Sequence, residues 1–138
     1  MKSKLGYTHR HAQAGIKTEF PRIECFSNQF RNDYEITVTI PEYTSICPKT
    51  NLPDFGTIII RYCPNEKILE LKSLKMYILK YRNLGIFYEN AVNKILQDVV
   101  KSCHPRWCVV RGEFSSRGGI HSSVEASYNG ILPDGGVK

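Results

Sequence analysis

Two residues seven positions apart could do chemistry together. Cys47 lies in TSICPKTNLPDFG, residues 44–56, whose two prolines, Asn51 and closing Gly56 predict a loop between two strands. A loop thiol near charges gains thiolate character relative to a free pKa of about 8.5, and the thiolate is the nucleophile. Asp54 is a carboxylic acid able to pass a proton to whatever the sulfur attacks. The pair also fits a plainer reading, with Cys47 a half-buried loop side chain and Asp54 a turn cap after Pro53.

Other groups have the same double character. Glu89 follows Phe87 and Tyr88 at the start of a predicted helix, where the dipole alone favours a carboxylate. Beside aromatic rings it could also accept paired N–H bonds from a purine-like edge. Lys72 and Lys75 fall three apart on one helix face, either a solvated basic face or a hold on phosphates, with Arg82 nearby. No metal is expected, because His9, His11, His104 and His121 lack zinc-site spacing. No nucleophile elbow marks a serine triad, and neither GxGxxG nor GxxxxGK[ST] is present. Basic residues among aromatics (Arg61, Tyr62, Lys80, Tyr81, Arg82) fit either RNA binding or core packing.

These groups need elements to hold them. Tyr34 to Ile40 alternates and predicts a strand stopped by Pro41; Thr57 to Tyr62 predicts a second. Leu71, Leu74, Ile78 and Tyr81 have helical spacing ending near Gly85. Phe87, Ala91, Val92, Ile95, Leu96, Val99, Val100 and Cys103 define a second helix closed by His104-Pro105. Trp107–Phe114 and Ile120–Tyr128 alternate again, and residues 129–138 read as a tail. Residues 1–32 have no clean period.

The expected order is therefore ββααββ, an α+β fold with a four-stranded antiparallel sheet and two helices on one face. A doubly wound parallel sheet would alternate strands and helices singly. Open sheet edges argue for closure by oligomerisation.

Length and composition set the outer bounds. The 138 residues make one domain, and 19 basic against 13 acidic residues give +6, which favours anionic partners. Apolar runs are too short for a membrane span and no secretory signal opens the chain, so a cytoplasmic protein is expected. Five cysteines without a CxxC pair read as reduced thiols in that compartment.

Together the motifs resemble the QueF family of NADPH-dependent 7-cyano-7-deazaguanine (preQ0) reductases, of the single-module type. The resemblance runs from about Asn28 to Tyr128. It is carried by ICPKTNLPDFG (46–56), ELKSLKMYILKYRN (70–83), Glu89 after Phe87 and Tyr88, and FSSRGG (114–119). It implies residues 1–27 as an N-terminal extension, and 28–138 as one tunnelling-fold (T-fold) domain whose strands join around a homo-oligomeric ring, with the ring size, decamer or other, left open. Active sites would lie between subunits.

By the same resemblance Cys47 would add to the nitrile and Asp54 would donate the proton. Leu69, Glu70, Leu71, Tyr88 and Glu89 would bind the substrate preQ0. Lys72, Ser73, Lys75, Tyr77 and Arg117 would belong to the NADPH region. Direct nucleic-acid binding and membrane association are not expected. Tyr88 stands where the family often has histidine; its hydroxyl donates a hydrogen bond but cannot titrate near neutrality as imidazole does.

Three rivals remain. One is the amidinotransferase relative acting on preQ0 already in tRNA, which would use the same Cys47 adduct but is expected to lack the ELKSLKMY block. Another is a non-catalytic RNA-, purine- or pterin-binding module, against which Cys47 and Asp54 together count. A cyclohydrolase on this fold would need zinc ligands that are missing.

Overall fold

A computed structural model describes residues 5–130. Its elements are α1 (His9–Gln13), β1 (Cys25–Ser27), β2 (Ile36–Ile46), β3 (Pro53–Cys63), β4 (Lys67–Leu69), α2 (Leu71–Leu79), a 3-10 turn (Lys80–Asn83), α3 (Tyr88–Cys103), β5 (Trp107–Arg117) and β6 (Ile120–Tyr128). Strands β2, β3, β5 and β6 form one antiparallel sheet in that order, and β1 pairs with β4 in a second, two-stranded one. The expected tail lies mostly outside the described residues, from 131 onward.

Alternation along the strands sorts the sheet into two faces. Ile58, Ile60, Tyr62, Cys108, Val110 and Phe114 point to a single core. Helix α3 covers it with Ala91, Val92, Ile95, Leu96, Val99, Val100 and Cys103, all essentially inaccessible. Burying each such Ile, Leu or Val side chain contributes roughly 1.5–3 kcal/mol. His104, in the left-handed region at φ 47, ends α3 by donating its N–H to the Val100 carbonyl. Helix α2 adds Leu74, Tyr77 and Ile78.

Two boundaries differ from the sequence expectation. Pro41 does not stop the first main strand: β2 continues to Ile46, with its register shifting between Ile40 and Tyr43. A proline fits there because β2 is the sheet's edge and the irregularity removes the need for its missing N–H. The loop predicted over 44–56 shrinks accordingly, since Ile46 pairs with Pro53 and Ser45 with Asp54.

The segment ahead of residue 28, expected to precede the domain without clear structure, carries α1 and β1. Its Phe20 ring lies 5.0 Å from Tyr77 and 4.6 Å from Tyr81, and Ile23 is buried in the core. Irregular spacing hid this, because the chain crosses the helices extended and does not present an amphipathic face.

Gly112 is a close-packed point where β5 meets α3. A Cβ there would stand 2.6 Å from the Phe114 ring and 2.9 Å from a Val92 methyl. Gly112→Ala is expected to cost about 1–3 kcal/mol as an overpacking change, read as a lowered denaturation midpoint. A wild-type midpoint would show that the β5–α3 spacing is slack.

Candidate functional site

Cys47 begins a one-turn reversal that joins β2 to β3. Its N–H donates to the Leu52 carbonyl, and its own carbonyl accepts from Asn51 N–H, both at 2.9 Å. Asn51 completes the turn at φ 58, a conformation that asparagine tolerates. The sulfur occupies the place of a helix-capping oxygen and accepts from the N–H groups of Lys49 and Thr50 and from the Thr50 hydroxyl. That hydroxyl is oriented, since its oxygen accepts from Leu52 N–H at 3.2 Å, leaving its proton for the sulfur.

These donors decide the thiol's character. Burial is the strongest influence and pushes the Cys47 pKa up, and nearby Asp54 adds to that. The Thr50 and Lys49 hydrogen bonds together outweigh both, so the thiol titrates below its ordinary value. For the thiols Cys103 and Cys108 burial dominates and raises both, Cys108 to about 12, and the one backbone hydrogen bond at Cys103 does not offset it. Among the described cysteines with a shifted thiol, Cys47 alone moves toward thiolate.

Asp54 sits on β3 directly across from Ser45 and is only 3% exposed. Tyr88, at the start of α3, donates its hydroxyl to Asp54 Oδ1 at 3.1 Å. The Tyr88 ring is fixed by stacking on Phe114, with centroids 4.0 Å apart and planes at 12°. Beside Asp54 lie two buried hydroxyl oxygens, Tyr43 Oη and Ser45 Oγ, with no hydrogen-bond partner of normal geometry. Burial raises the Tyr43 pKa and holds its hydroxyl neutral; Ser45 opposes this, and Asp54 and then Tyr88 add smaller upward pushes.

Cys47, Asp54, Tyr88 and Glu89 line one cavity of ≈ 300 Å³ with Tyr7, Phe87, Ser115, Ile120 and Ser122. That volume is at the lower end of the roughly 300–1,000 Å³ typical of small-molecule sites. Glu89, in the first turn of α3, is exposed. The backbone brings these groups together: Ile46, one residue before Cys47, donates to Leu84 and accepts from Ile86.

The other expected site residues do not reach this cavity within one chain. Leu69 is buried in the core, with its N–H donated to the Tyr62 hydroxyl. Glu70 caps α2, accepting from Lys72 and Ser73 N–H groups, which lowers its pKa. Ser73 returns its hydroxyl to the Glu70 carbonyl and accepts from Glu24 N–H. Leu71 and Lys75 line a separate groove of ≈ 330 Å³ with Leu74, Ile78, Leu79 and Arg82, along β2 residues 38–42. Lys72 is exposed on the same helix. Tyr77 is a core residue whose hydroxyl donates to Asp98 and meets Tyr81. The side chain of Arg117 lies outside the described features.

Sequence reasoning missed Thr50, Tyr43, Ser45 and Tyr7. Thr50 had a signal, the capping spacing of three from Cys47. Tyr43 and Ser45 were hidden by reading Pro41 as a strand stop, which removed the alternation that turns them inward.

The fold is that of a known class. The crystal structure of the archaeosine synthase QueF-Like in its apo form matches 75% of this chain and 99% of its own, with a TM-score of 0.64 at 20% identity. Residues 53–131 match the family described as QueF-like protein. The NADPH-dependent 7-cyano-7-deazaguanine reductase of Elusimicrobium minutum is 54% identical over 90% of this chain and 94% of its own. Proteins of that name from Chloroherpeton thalassium and Chlorobaculum tepidum are 55% and 53% identical, each over 92% of its own length. The chain belongs to the QueF-like family.

The Cys47 environment makes a pH prediction. Alkylation of Cys47 by iodoacetamide is expected to rise with pH around an inflection below that of a free thiol, about 8.5. Thr50→Val removes a hydroxyl donor to the thiolate, so its inflection should move upward. An unmoved inflection would remove Thr50 from the account.

Proposed function

We propose that the chain is an NADPH-dependent reductase of 7-cyano-7-deazaguanine, converting it to the 7-aminomethyl base in queuosine biosynthesis, with Cys47 as nucleophile and Asp54 as acid. The carrying observation is the convergence of a thiol depressed by its own turn, a buried acid and the Glu89 carboxylate on one cavity. The reductases named above share more than half of their aligned residues with this chain, against 20% for the archaeosine synthase, so reduction is favoured over amidine formation.

A nitrile carbon is electrophilic but accepts hydride poorly. Cys47 Sγ adds to it, one C–N π bond opens, and Asp54 gives its proton to nitrogen, leaving a covalent thioimide. When bound, NADPH supplies hydride to that carbon, once for each of two reductions. Cys47 leaves as thiolate between them, a departure its donors stabilise, and the nitrogen takes its second proton with the second hydride, from a re-protonated Asp54. Tyr88 holds the Asp54 carboxyl in place throughout, and Glu89 accepts N–H bonds from the deazaguanine edge.

The α2 groove suits the cofactor. Lys75 and Arg82 offer charge for phosphates over a floor of Leu71, Leu74 and Ile78, with Lys72 exposed on the same helix. Ser73 and Arg117 belong to this assignment; Tyr77 supports it from within the core. Groove and cavity are separate in one chain, and β2 and β6 are both sheet edges. This supports a tunnelling-fold homo-oligomer in which residues 69–72 of one subunit complete the substrate site of another. The enzyme is assigned to the cytoplasm, and no described helix is long and apolar enough to cross a membrane.

The test follows oxidation of NADPH with purified protein and 7-cyano-7-deazaguanine. About two NADPH per nitrile are expected, since nitrile to amine takes two hydrides. Cys47→Ala should abolish this, and turnover surviving in that variant would refute covalent catalysis. Asp54→Asn should retain substrate binding and lose most reduction. Lys75→Ala should raise KM for NADPH more than KM for the nitrile; equal rises would move the cofactor elsewhere. A mass increase on Cys47 without NADPH oxidation would point to the amidine-forming reaction.

A further inference from the structure

The segment before the main sheet reaches the Cys47 cavity. Tyr7 lines it, with the ring centroid 5.8 Å from that of Phe87, another lining residue. Lys49, two residues after the thiol, stands 5.9 Å over the Tyr7 ring. Gly6, at φ +84, abuts the same lysine so closely that a Cβ would lie 2.7 Å from its Nζ.

The rest of the segment is anchored to the backbone that carries the site. Thr8 and His11 form a reciprocal capping box that starts α1. Asn90, beside Glu89 on α3, donates its amide to the Ala12 carbonyl. Gly15, at φ +82, packs against Gly85 and Ile86, where a Cβ would meet the Gly85 carbonyl at 2.6 Å. Residues 85–86 are those that clasp Ile46 next to the thiol.

We propose that residues 6–15 are a strap closing the Cys47 cavity, and that the Tyr7 ring is the aromatic face covering a flat, base-like substrate during reaction. This rests on the reading of Cys47 as the reacting thiol. Three features fit the role. Tyr7 and Cys47 line the same cavity, and Tyr7 keeps 37% of its surface exposed while Cys47 keeps 6%, so the ring is the more solvent-facing of the two. The tip is held through ring contacts of Tyr7 with Lys49, Phe87 and His11, whereas the base of the strap is held by close backbone fit at Gly15 and by the Asn90 hydrogen bond. An aromatic face also suits any heteroaromatic ring, because stacking needs only a π surface.

Closure has a chemical consequence. A thioimide exposed to water is open to hydrolysis: water adds to its carbon, the C–N bond breaks, and ammonia leaves to give a thioester. A second water releases the carboxylic acid and the thiol. The carbon is not reduced in either step. A cover over the thiol therefore keeps the adduct for the hydride.

The experiment compares Tyr7→Ala and Tyr7→Phe in the full chain, with two readouts. The first is iodoacetamide labelling of the Cys47 peptide without substrate, followed by mass spectrometry. Tyr7→Ala should label about tenfold faster than wild type and Tyr7→Phe at the wild-type rate. The second is steady-state kinetics: Tyr7→Ala should raise KM for the nitrile about tenfold, the size of a lost base–aromatic stack, and leave KM for NADPH unchanged. Its NADPH consumed per nitrile lost should also fall below that of wild type as ammonia appears.

Unchanged labelling and unchanged KM in Tyr7→Ala would overturn the strap. So would equal rises in both KM values with a lowered melting temperature, which mark a folding defect. Full turnover by Cys47→Ala would instead remove the catalytic reading, while the labelling rates would still report whether Tyr7 covers the thiol.

Discussion

The peptide of Ile46 is the hinge on which the site depends. Its N–H is held by Leu84 and its carbonyl by Ile86, so the last residue of an edge strand is clasped by the connection between two helices. An edge strand ordinarily presents unpaired backbone groups to solvent. Here the far end of that edge is paired instead, by a parallel bridge to Gly85. Cys47 follows the clasp by one residue, and Tyr88 and Glu89 follow its other side by two and three. No side-chain contact is needed to bring thiol and helix start together; backbone pairing alone does it.

From that clasp the polarity of the site follows. The turn after Ile46 must satisfy its first N–H groups, and it does so with sulfur where most turns use oxygen. The donors that cap the turn are thus the same three that lower the thiol's pKa. Asp54 enters on the partner strand through the pairing of Ile46 with Pro53 and Ser45 with Asp54. Its burial would be costly without hydrogen bonds, and the Tyr88 hydroxyl supplies one. The stacking of Tyr88 on Phe114 then makes the position of the acid depend on β5, and so on the close approach at Gly112.

What the sequence made legible, and what it hid, divides along physical lines. Helix α3 was readable because its apolar stripe is the core itself, β5 and β6 through alternation, and β3 through its β-branched and aromatic run. Cys47, Asp54 and Glu89 were singled out through residue type and motif, and all three line one cavity. Pro41 misled, since a proline's meaning depends on whether its strand is an edge, and pairing order is not a local property. Residues 6–23 were opaque for a related reason: Tyr7, Gly15, Phe20 and Ile23 each touch a different element, so no period links them.

The division between groove and cavity carries the remaining argument. Glu70 caps α2 and Leu69 is buried, so within one chain neither side chain can turn toward Cys47 without unmaking a helix start or a core contact. What residues 69–72 can offer a ligand is backbone and the exposed side chains of Leu71 and Lys72. Such groups serve a neighbouring molecule better than their own cavity, because they face outward beside an unpaired strand. A sheet with β2 and β6 both open supplies that neighbour by the same pairing that would cover its edges. If subunits do pair through those edges as proposed, covering the edges would also bring residues 69–72 to a neighbouring cavity, contacts that a single chain does not make.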